Sequence, residues 1–169
     1  MKEDKEKLFK EVLLEICSNS RILESDKYIQ HGDTSTLVHS IAVAYFSYQM
    51  SAAFRISVND RNLIRGALLH DYYLYDWHDH QPQYRGHGYK HAAIALKNAT
   101  RDLNLNEVER DIISKHMFPL NLRLPRYRES TLVCIADKIC SIYEIFYMSK
   151  LFHPRSYNFQ VDSISKFTG

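Results

Sequence analysis

Glycine and cysteine are scarce in this chain: its 169 residues include five glycines and three cysteines. So few glycines argue against a glycine-rich loop of the kind that binds dinucleotides, and no P-loop, Ser-His-Asp or Cys-His pattern is present. Cys17, Cys134 and Cys140 lack CxxC spacing and lie in apolar helical segments. We therefore expect core thiols in a reducing compartment, not disulfides or zinc ligands.

The sequence also lacks a strong charge of either sign and any long apolar run. Its formal net charge of +2 is too small to indicate nucleic acid or a membrane surface as a partner. No apolar stretch approaches the length needed to cross a bilayer. The densely charged residues 1–7 do not resemble a secretory leader, so we expect a cytoplasmic protein. The sequence gives no indication of the oligomeric state.

Apolar residues recur at helical spacing along most of the chain, whereas strand-like alternation is scarce. With 45% apolar residues, the chain can form one domain with a sizeable core. We predict an all-α, single-domain helical bundle of about six or more helices: an N-terminal helix in residues 1–24 packed on a domain of residues 25–150, then a tail of residues 151–169. The predicted helices lie at about residues 4–23, 33–54, 57–70, 88–102, 106–116 and 129–149.

Side chains that cap helix N-termini support three of these starts. Residues 33–35 are good N-cap residues for the second helix, and residues 57–60 resemble a capping box for the third. Asn106 is the predicted N-cap of the fifth helix, where Glu109 suits the positive end of the helix dipole. Residues 72–87 form a predicted long loop, and loops of that length are often functional.

Side chains suited to metal binding interrupt these apolar helical segments in a regular order. Imidazoles and carboxylates are costly to bury unless something compensates them, and a divalent cation does so directly. The residues are His39, His70, Asp71, His91, His116 and Asp137.

Two His-Asp pairs occur, His70-Asp71 and His78-Asp79. The first closes an apolar helix, whereas the second lies in a polar loop. Adjacent helical residues point about 100° apart, so a His-Asp pair converges best on one ion at a helix end. This favours the first pair and leaves the second as surface residues at the mouth of a site.

This order of ligands resembles the HD-domain superfamily of metal-dependent phosphohydrolases, and the resemblance covers roughly residues 30–145. It implies an all-α, phosphodiesterase-like fold. It also implies that His39, His70, Asp71 and Asp137 hold one ion. In some members a second ion is bound by two further histidines, here His91 and His116, with Asp71 bridging both. Iron, manganese, zinc, cobalt and nickel all suit such ligands.

Other interpretations remain open for individual ligands. His39 alone could be a satisfied core histidine. Asp137 could form a salt bridge to an arginine, and less readily to Lys138, since adjacent helical residues do not face each other. One or both of His91 and His116 could hydrogen-bond substrate instead of metal. His87 is a rival to His91, because residues four apart share a helix face.

Several residues near the proposed site are candidates for substrate contacts. We assign Arg85, Lys90 and Lys138 to phosphate and Trp77 to a substrate ring. His87 and Lys138 are the candidates for protonating or stabilising the leaving oxygen. The tyrosines at 72, 73 and 75 could stack on a ring or simply pack. Residues 31–33 could hydrogen-bond substrate or a ligand histidine, but capping by Asp33 is the default.

The resemblance implies hydrolysis of a small phosphoester, most simply a nucleotide, by metal-activated water. Such an enzyme would be a phosphomonoesterase or a phosphodiesterase, with no nucleic-acid or membrane partner. The Gly-Tyr-Pro extension of the cyclic-dinucleotide branch is absent. The same ligand order also resembles the di-iron oxygenase branch of the superfamily, and a non-catalytic metal- or nucleotide-binding module is a third alternative.

Overall fold

The computed structural model describes residues 2–79 and 86–147 of the chain. Six α-helices account for most of this part, which confirms the predicted all-α class. They are α1 (Lys2–Asn19), α2 (Thr36–Ala53), α3 (Asp60–Leu69), α4 (His87–Asp102), α5 (Glu107–Lys115) and α6 (Arg128–Tyr147). A 3-10 helix, Ile22–Lys27, and two short strands, β1 (Ile29–His31) and β2 (Thr34–Ser35), connect α1 to α2.

The central element of the bundle is α3. It packs against α1, α2 and α5 and also contacts α4 and α6. Its buried residues go all the way round the helix and include Leu63, Ile64, Leu68 and Leu69. Residues 63–69 are all buried, Arg65 among them, so the C-terminal half of this helix lies inside the bundle. The C-terminal end of α3, where His70 lies, is therefore surrounded by other helices.

The approach of α3 to α5 depends on Gly66. A Cβ atom at this position would lie 2.4 Å from Cδ1 and 3.0 Å from Cβ of Ile112. No side chain fits at that distance, so glycine lets the two helices approach closely. This contact lies one helical turn before His70 on α3 and one turn before His116 on α5.

The N-cap residues of α2 and α5 are ones that the sequence predicted. Ser35 accepts a hydrogen bond from the backbone N–H of Val38 at the start of α2. Asn106 and Glu109 form a full capping box at the start of α5. The predicted capping box at residues 57–60 is wrong in detail, because the N-cap of α3 is Asn59.

The two strands form a small antiparallel ribbon that the sequence did not predict. Gly32 lies at its turn with φ of +55°, a conformation that favours glycine. The first helix also ends at Asn19, earlier than predicted, and the 3-10 helix takes over at Ile22. The ribbon places Gln30 and His31 beside the start of α2.

The division at residues 24 and 150 stays a prediction, and the tail at 151–169 lies outside the described residues. All three cysteines are free, as expected. Among the described helices, none has both the length and the apolar character needed to cross a membrane.

Candidate metal centre

Five helices bring the six predicted ligands together. His39 lies in the first turns of α2, His91 in the first turns of α4, and Asp137 within α6. His70 and His116 are the C-cap residues of α3 and α5, and Asp71 follows His70 directly. None of the six is more than 7% exposed. The first His-Asp pair therefore lies at a buried helix end, as its sequence context indicated.

One group of ligands surrounds Asp137. Nε2 of His39 lies 3.2 Å from Oδ1 of Asp137, and Nε2 of His70 lies 3.7 Å from the same oxygen. Oδ2 of Asp71 lies 3.4 Å from Nε2 of His70 and 3.9 Å from Nε2 of His39. The atoms of these four residues that could coordinate a metal thus point toward one small volume.

A second group lies on the other side of Asp71. Its Oδ1 is 3.2 Å from Nε2 of His91 and 3.4 Å from Nε2 of His116. These two nitrogens are only 2.9 Å from each other. The Asp71 carboxylate therefore turns one oxygen toward each group, as a bridging ligand would.

The hydrogen bonds within the cluster leave two buried atoms unsatisfied. Nε2 of His70 and Oδ1 of Asp71 are inaccessible to solvent and have no hydrogen-bond partner. Leaving such atoms unpaired is costly, and a cation would satisfy both. Two overlapping triads, His39-His70-Asp137 and His70-Asp71-His116, bring their ligand atoms within 4.8 Å of one another. The residues present therefore fit a divalent metal.

In each of the four ligand histidines, the ring nitrogen that faces away from the cluster, Nδ1, forms a hydrogen bond that fixes the ring. Nδ1 of His70 lies 2.7 Å from the carbonyl of Ala67, and Nδ1 of His116 lies 2.9 Å from that of Ile113. Nδ1 of His91 lies 2.9 Å from the carbonyl of His87. A carbonyl can only accept, so each Nδ1 carries the proton and each Nε2 is left for the cluster.

The fourth ring, His39, uses a carboxylate for the same purpose. Its Nδ1 donates to Oε2 of Glu144 at 2.8 Å. Burial alone would lower the pKa of His39, but its hydrogen bonds to Asp137 and Glu144 outweigh that effect and raise the pKa to about 10. Without metal, His39 is thus held as a cation between two carboxylates.

The carboxylates in the cluster remain charged despite their burial. Burial alone would raise the pKa of Asp71, but the neighbouring imidazoles, led by His70 and His91, hold it well below the usual range. The imidazoles of His39 and His70 lower the pKa of Asp137 in the same way. The alternative of a salt bridge from Asp137 to Lys138 does not occur, because Nζ of Lys138 contacts backbone carbonyls instead.

Two residues of the site were missed from the sequence. Nε2 of Gln30 donates to Oδ2 of Asp71 at 2.6 Å, and the hydroxyl of Tyr73 in turn donates to Oε1 of Gln30. Nothing in the sequence around Gln30 distinguishes it. Glu144 did carry a signal, since it follows Asp137 by seven residues, two helical turns, within an apolar helix.

A cavity of about 850 Å³ opens onto this cluster. Three of the predicted substrate or catalytic residues, Trp77, His87 and Lys138, line it. Lys90 is exposed and lies outside the lining, so the structure gives no direct place for it against a substrate. Arg85 lies outside the described residues.

His87 is part of a stack of rings at one side of the cavity. Its ring lies parallel to Trp77, with centroids 5.1 Å apart, and to His91, with centroids 4.6 Å apart. Nδ1 of His87 and the hydroxyl of Tyr75 are 2.8 Å apart. Burial, helped by the charge of His91, lowers the pKa of His87 to about 4. The geometry places His91, not His87, beside Asp71.

Two other aromatic residues near the first His-Asp pair belong to the core. Tyr72 and Tyr73 are buried, and the Tyr72 hydroxyl donates to Asp102 at 2.6 Å, so these two rings pack. Burial raises the pKa of both hydroxyls. Both residues of the second His-Asp pair are exposed: His78 is paired with Asp76, and its ring lies against Trp77 with centroids 3.8 Å apart.

His31 also lines the cavity, where its ring meets that of His39 edge-on with centroids 5.6 Å apart. This is a ring contact with a predicted metal ligand, whereas the alternative for residues 31–33 was a hydrogen bond, which stays a prediction. Ser35, not Asp33, caps the helix that follows.

Comparison with known proteins gives one match. Residues 36–142, well over half of the chain, match the family model of the HD domain. Searches of curated proteins and of solved structures gave no significant match. The matched range contains all six clustered residues and ends two residues before Glu144.

Proposed function

Because this chain belongs to the HD-domain family, we propose that it is a metal-dependent phosphohydrolase whose substrate is a small phosphoester, most simply a nucleotide. The observation that carries this proposal is the position of Asp71, which turns one carboxylate oxygen toward each of two groups of buried ligands. A carboxylate can bridge two cations, since each oxygen has lone pairs to offer.

The ligands divide between two proposed ions. His39, His70, Asp71 and Asp137 would hold the first, and Asp71, His91 and His116 the second. Divalent ions at these positions would supply Lewis acidity toward phosphoryl oxygens and a water of lowered pKa. Gln30 keeps Asp71 oriented through its bond to Oδ2, and Glu144 does the same for His39.

Lys138 is suited to a phosphoryl oxygen. Lys138 lines the cavity, and its ammonium donates to the carbonyls of His116 and Cys134 at 2.9 and 3.2 Å. A cation fixed in this way can neutralise an anionic substrate without first being ordered. We therefore assign Lys138 to phosphate binding next to the metal ligands.

The ring stack gives the substrate its second contact. Trp77 lines the cavity and covers His87, which Tyr75 holds by a hydrogen bond. A planar ring such as a nucleobase would stack on this surface, a contact worth about 1–3 kcal/mol. His87 would hydrogen-bond the substrate at or beside its leaving oxygen. These aromatic contacts support a nucleotide over a phosphoester that lacks a ring.

The proposal is tested by phosphate release. With Mn²⁺ added, wild-type protein should release phosphate from nucleotides with and without oxygen, and Asp71→Ala should abolish release. The matched control is Asp79→Ala in the exposed second pair, which should keep wild-type activity. Trp77→Ala should raise KM for a nucleotide while leaving glycerol phosphate unaffected.

The ligand order also resembles di-iron oxygenases, and the same experiment separates the two reactions. Absence of phosphate release with any divalent metal, together with a mixed-valent di-iron signal, would replace hydrolysis by oxygen activation. Equal turnover by the wild-type and Asp71→Ala proteins would reject both reactions at this site.

A further inference from the structure

A second cavity, of about 480 Å³, lies between α4 and α5 and shares no lining residue with the cavity at the metal centre. Its walls come from α4, from α5 and from the segment after α5. We call it the basic groove, since its charged lining residues are Lys97, Arg110 and Arg123. Its volume lies within the range of small-molecule sites, about 300–1,000 Å³.

The charge of the basic groove is uncompensated. No carboxylate lines it, and within residues 2–79 and 86–147 no ion pair links any of its three cations to an acidic side chain. Three like charges around one groove repel one another, and an anion would relieve the repulsion. Multiple phosphates are a natural match for such a set.

One of these cations is already held in place. Nε of Arg110 donates to the carbonyl of Leu105 at 3.2 Å, and Nη1 donates to Oγ1 of Thr100 at 3.2 Å. Arg110 is half-buried, whereas Lys97 and Arg123 are exposed. The groove thus combines one guanidinium held by hydrogen bonds with two exposed cations that can reach an anion.

An aromatic residue of the groove lies on α4, nearer the start of that helix than Lys97. Tyr89 is 67% exposed, although it lines the groove with Ala93 and Leu96. Positions 89, 93 and 96 follow one another along one side of a helix. The tyrosine ring beside two apolar side chains offers a surface on which a planar ring can stack.

We propose that the basic groove binds a nucleotide, with its phosphates against Lys97, Arg110 and Arg123 and its base against Tyr89. This site is independent of the proposed hydrolysis. It lies on the two helices that supply His91 and His116, so a bound nucleotide would contact both supports of the second group of metal ligands.

The test is calorimetric titration of the metal-loaded, full-length protein with the non-hydrolysable ATP analogue AMP-PNP. The variant is Lys97→Gln with Arg123→Gln, which removes two exposed charges and leaves the bonds of Arg110 intact. Wild-type protein should show a binding event at the groove that the variant loses or weakens about tenfold or more. The matched control, Lys7→Gln with Arg55→Gln, removes two exposed charges outside the groove and should bind as wild type does.

Binding at the metal centre is measured separately in the same titration. If the metal centre also binds AMP-PNP, the wild-type protein should bind two molecules and the variant one. If the metal centre does not bind it, the wild-type protein should bind one molecule and the variant none. Equal stoichiometry and affinity in the wild type and the variant would overturn the proposal, whether or not the protein hydrolyses phosphoesters.

Pyrophosphate tests the base contact. It should bind the wild type more weakly than AMP-PNP, and Tyr89→Leu should remove that difference. Equal binding of pyrophosphate and AMP-PNP to the wild type would overturn nucleotide recognition at the groove.

Discussion

Glu144 accepts a hydrogen bond from Nδ1 of His39 at 2.8 Å, while Asp137 lies 3.2 Å from Nε2 of the same ring. Both carboxylates belong to α6, two helical turns apart. A single helix face therefore holds His39 from both sides and decides which nitrogen points into the cluster. Outer partners of this kind commonly change metal affinity 10–100-fold when removed.

We expect Glu144→Leu to lower metal affinity by about tenfold or more, since nothing would then hold Nδ1 of His39 and fix the ring from that side. Glu144→Gln should lose less, because its amide oxygen can still accept from Nδ1. Competition with a chromogenic chelator measures both variants. Glu107→Leu, at an exposed position in α5, is the control and should bind metal normally. Wild-type affinity in Glu144→Leu would show that the pairing does not orient a ligand.

Elemental analysis should give two metal ions per chain in the wild type. His116→Ala should lower the ratio toward one, because it removes a ligand from one side of Asp71 only. His78→Ala is the matched control, since His78 is exposed and outside the cluster. A wild-type ratio that saturates at one ion would contradict two sites.

Metal-free protein should lose stability as the pH rises from 7 to 8.5. The pKa of His39 is raised to about 10 in the folded state, so its stabilising contribution is complete below its unfolded pKa, about 6.5, and is lost as the pH rises toward 10. Thermal unfolding in a chelator at several pH values measures the effect. The loss of Tm across this window should be smaller in His39→Gln, and an equal loss would assign it to other groups.

Gly66→Ala should destabilise the fold by about 1–3 kcal/mol, the usual cost of overpacking. The new methyl group would lie 2.4 Å from Cδ1 of Ile112, so the Ile112 side chain or α3 itself would have to shift. Ile112→Val removes that terminal carbon. The double variant should therefore lose less free energy of unfolding than the two single variants lose together. Urea unfolding measures all three proteins. Strict additivity would mean that the two residues do not clash.

The sequence predicted most of what is local and much of what is buried. Asn106 caps its helix as expected, because capping depends on residues a few positions apart. The cluster around Asp71 could be anticipated because charged and imidazole side chains stand out in apolar helices. Its assembly, however, depended on a family resemblance, since no spacing rule places residues 39 and 137 together.

The misses have physical causes. The ribbon at Ile29–His31 and Thr34–Ser35 is too short to show alternation, and Gln30 is functional only through the tertiary contact that the ribbon creates. The sequence placed the start of α3 at Ser57, because several neighbouring residues there can serve as N-cap. The N-cap is Asn59, and only the backbone conformation decides between these residues. Lys90 was assigned to phosphate from its position in the chain; its side chain is exposed outside the cavity lining, and the assignment stays a prediction.

The ligands of the proposed centre are far apart along the chain, with His39 and Asp137 separated by 98 residues. An ion held between them would act as a cross-link that the unfolded chain cannot maintain, and its binding energy would add to the stability of the fold. Metal supply would then control how long the protein survives proteases, as well as how fast it turns over substrate.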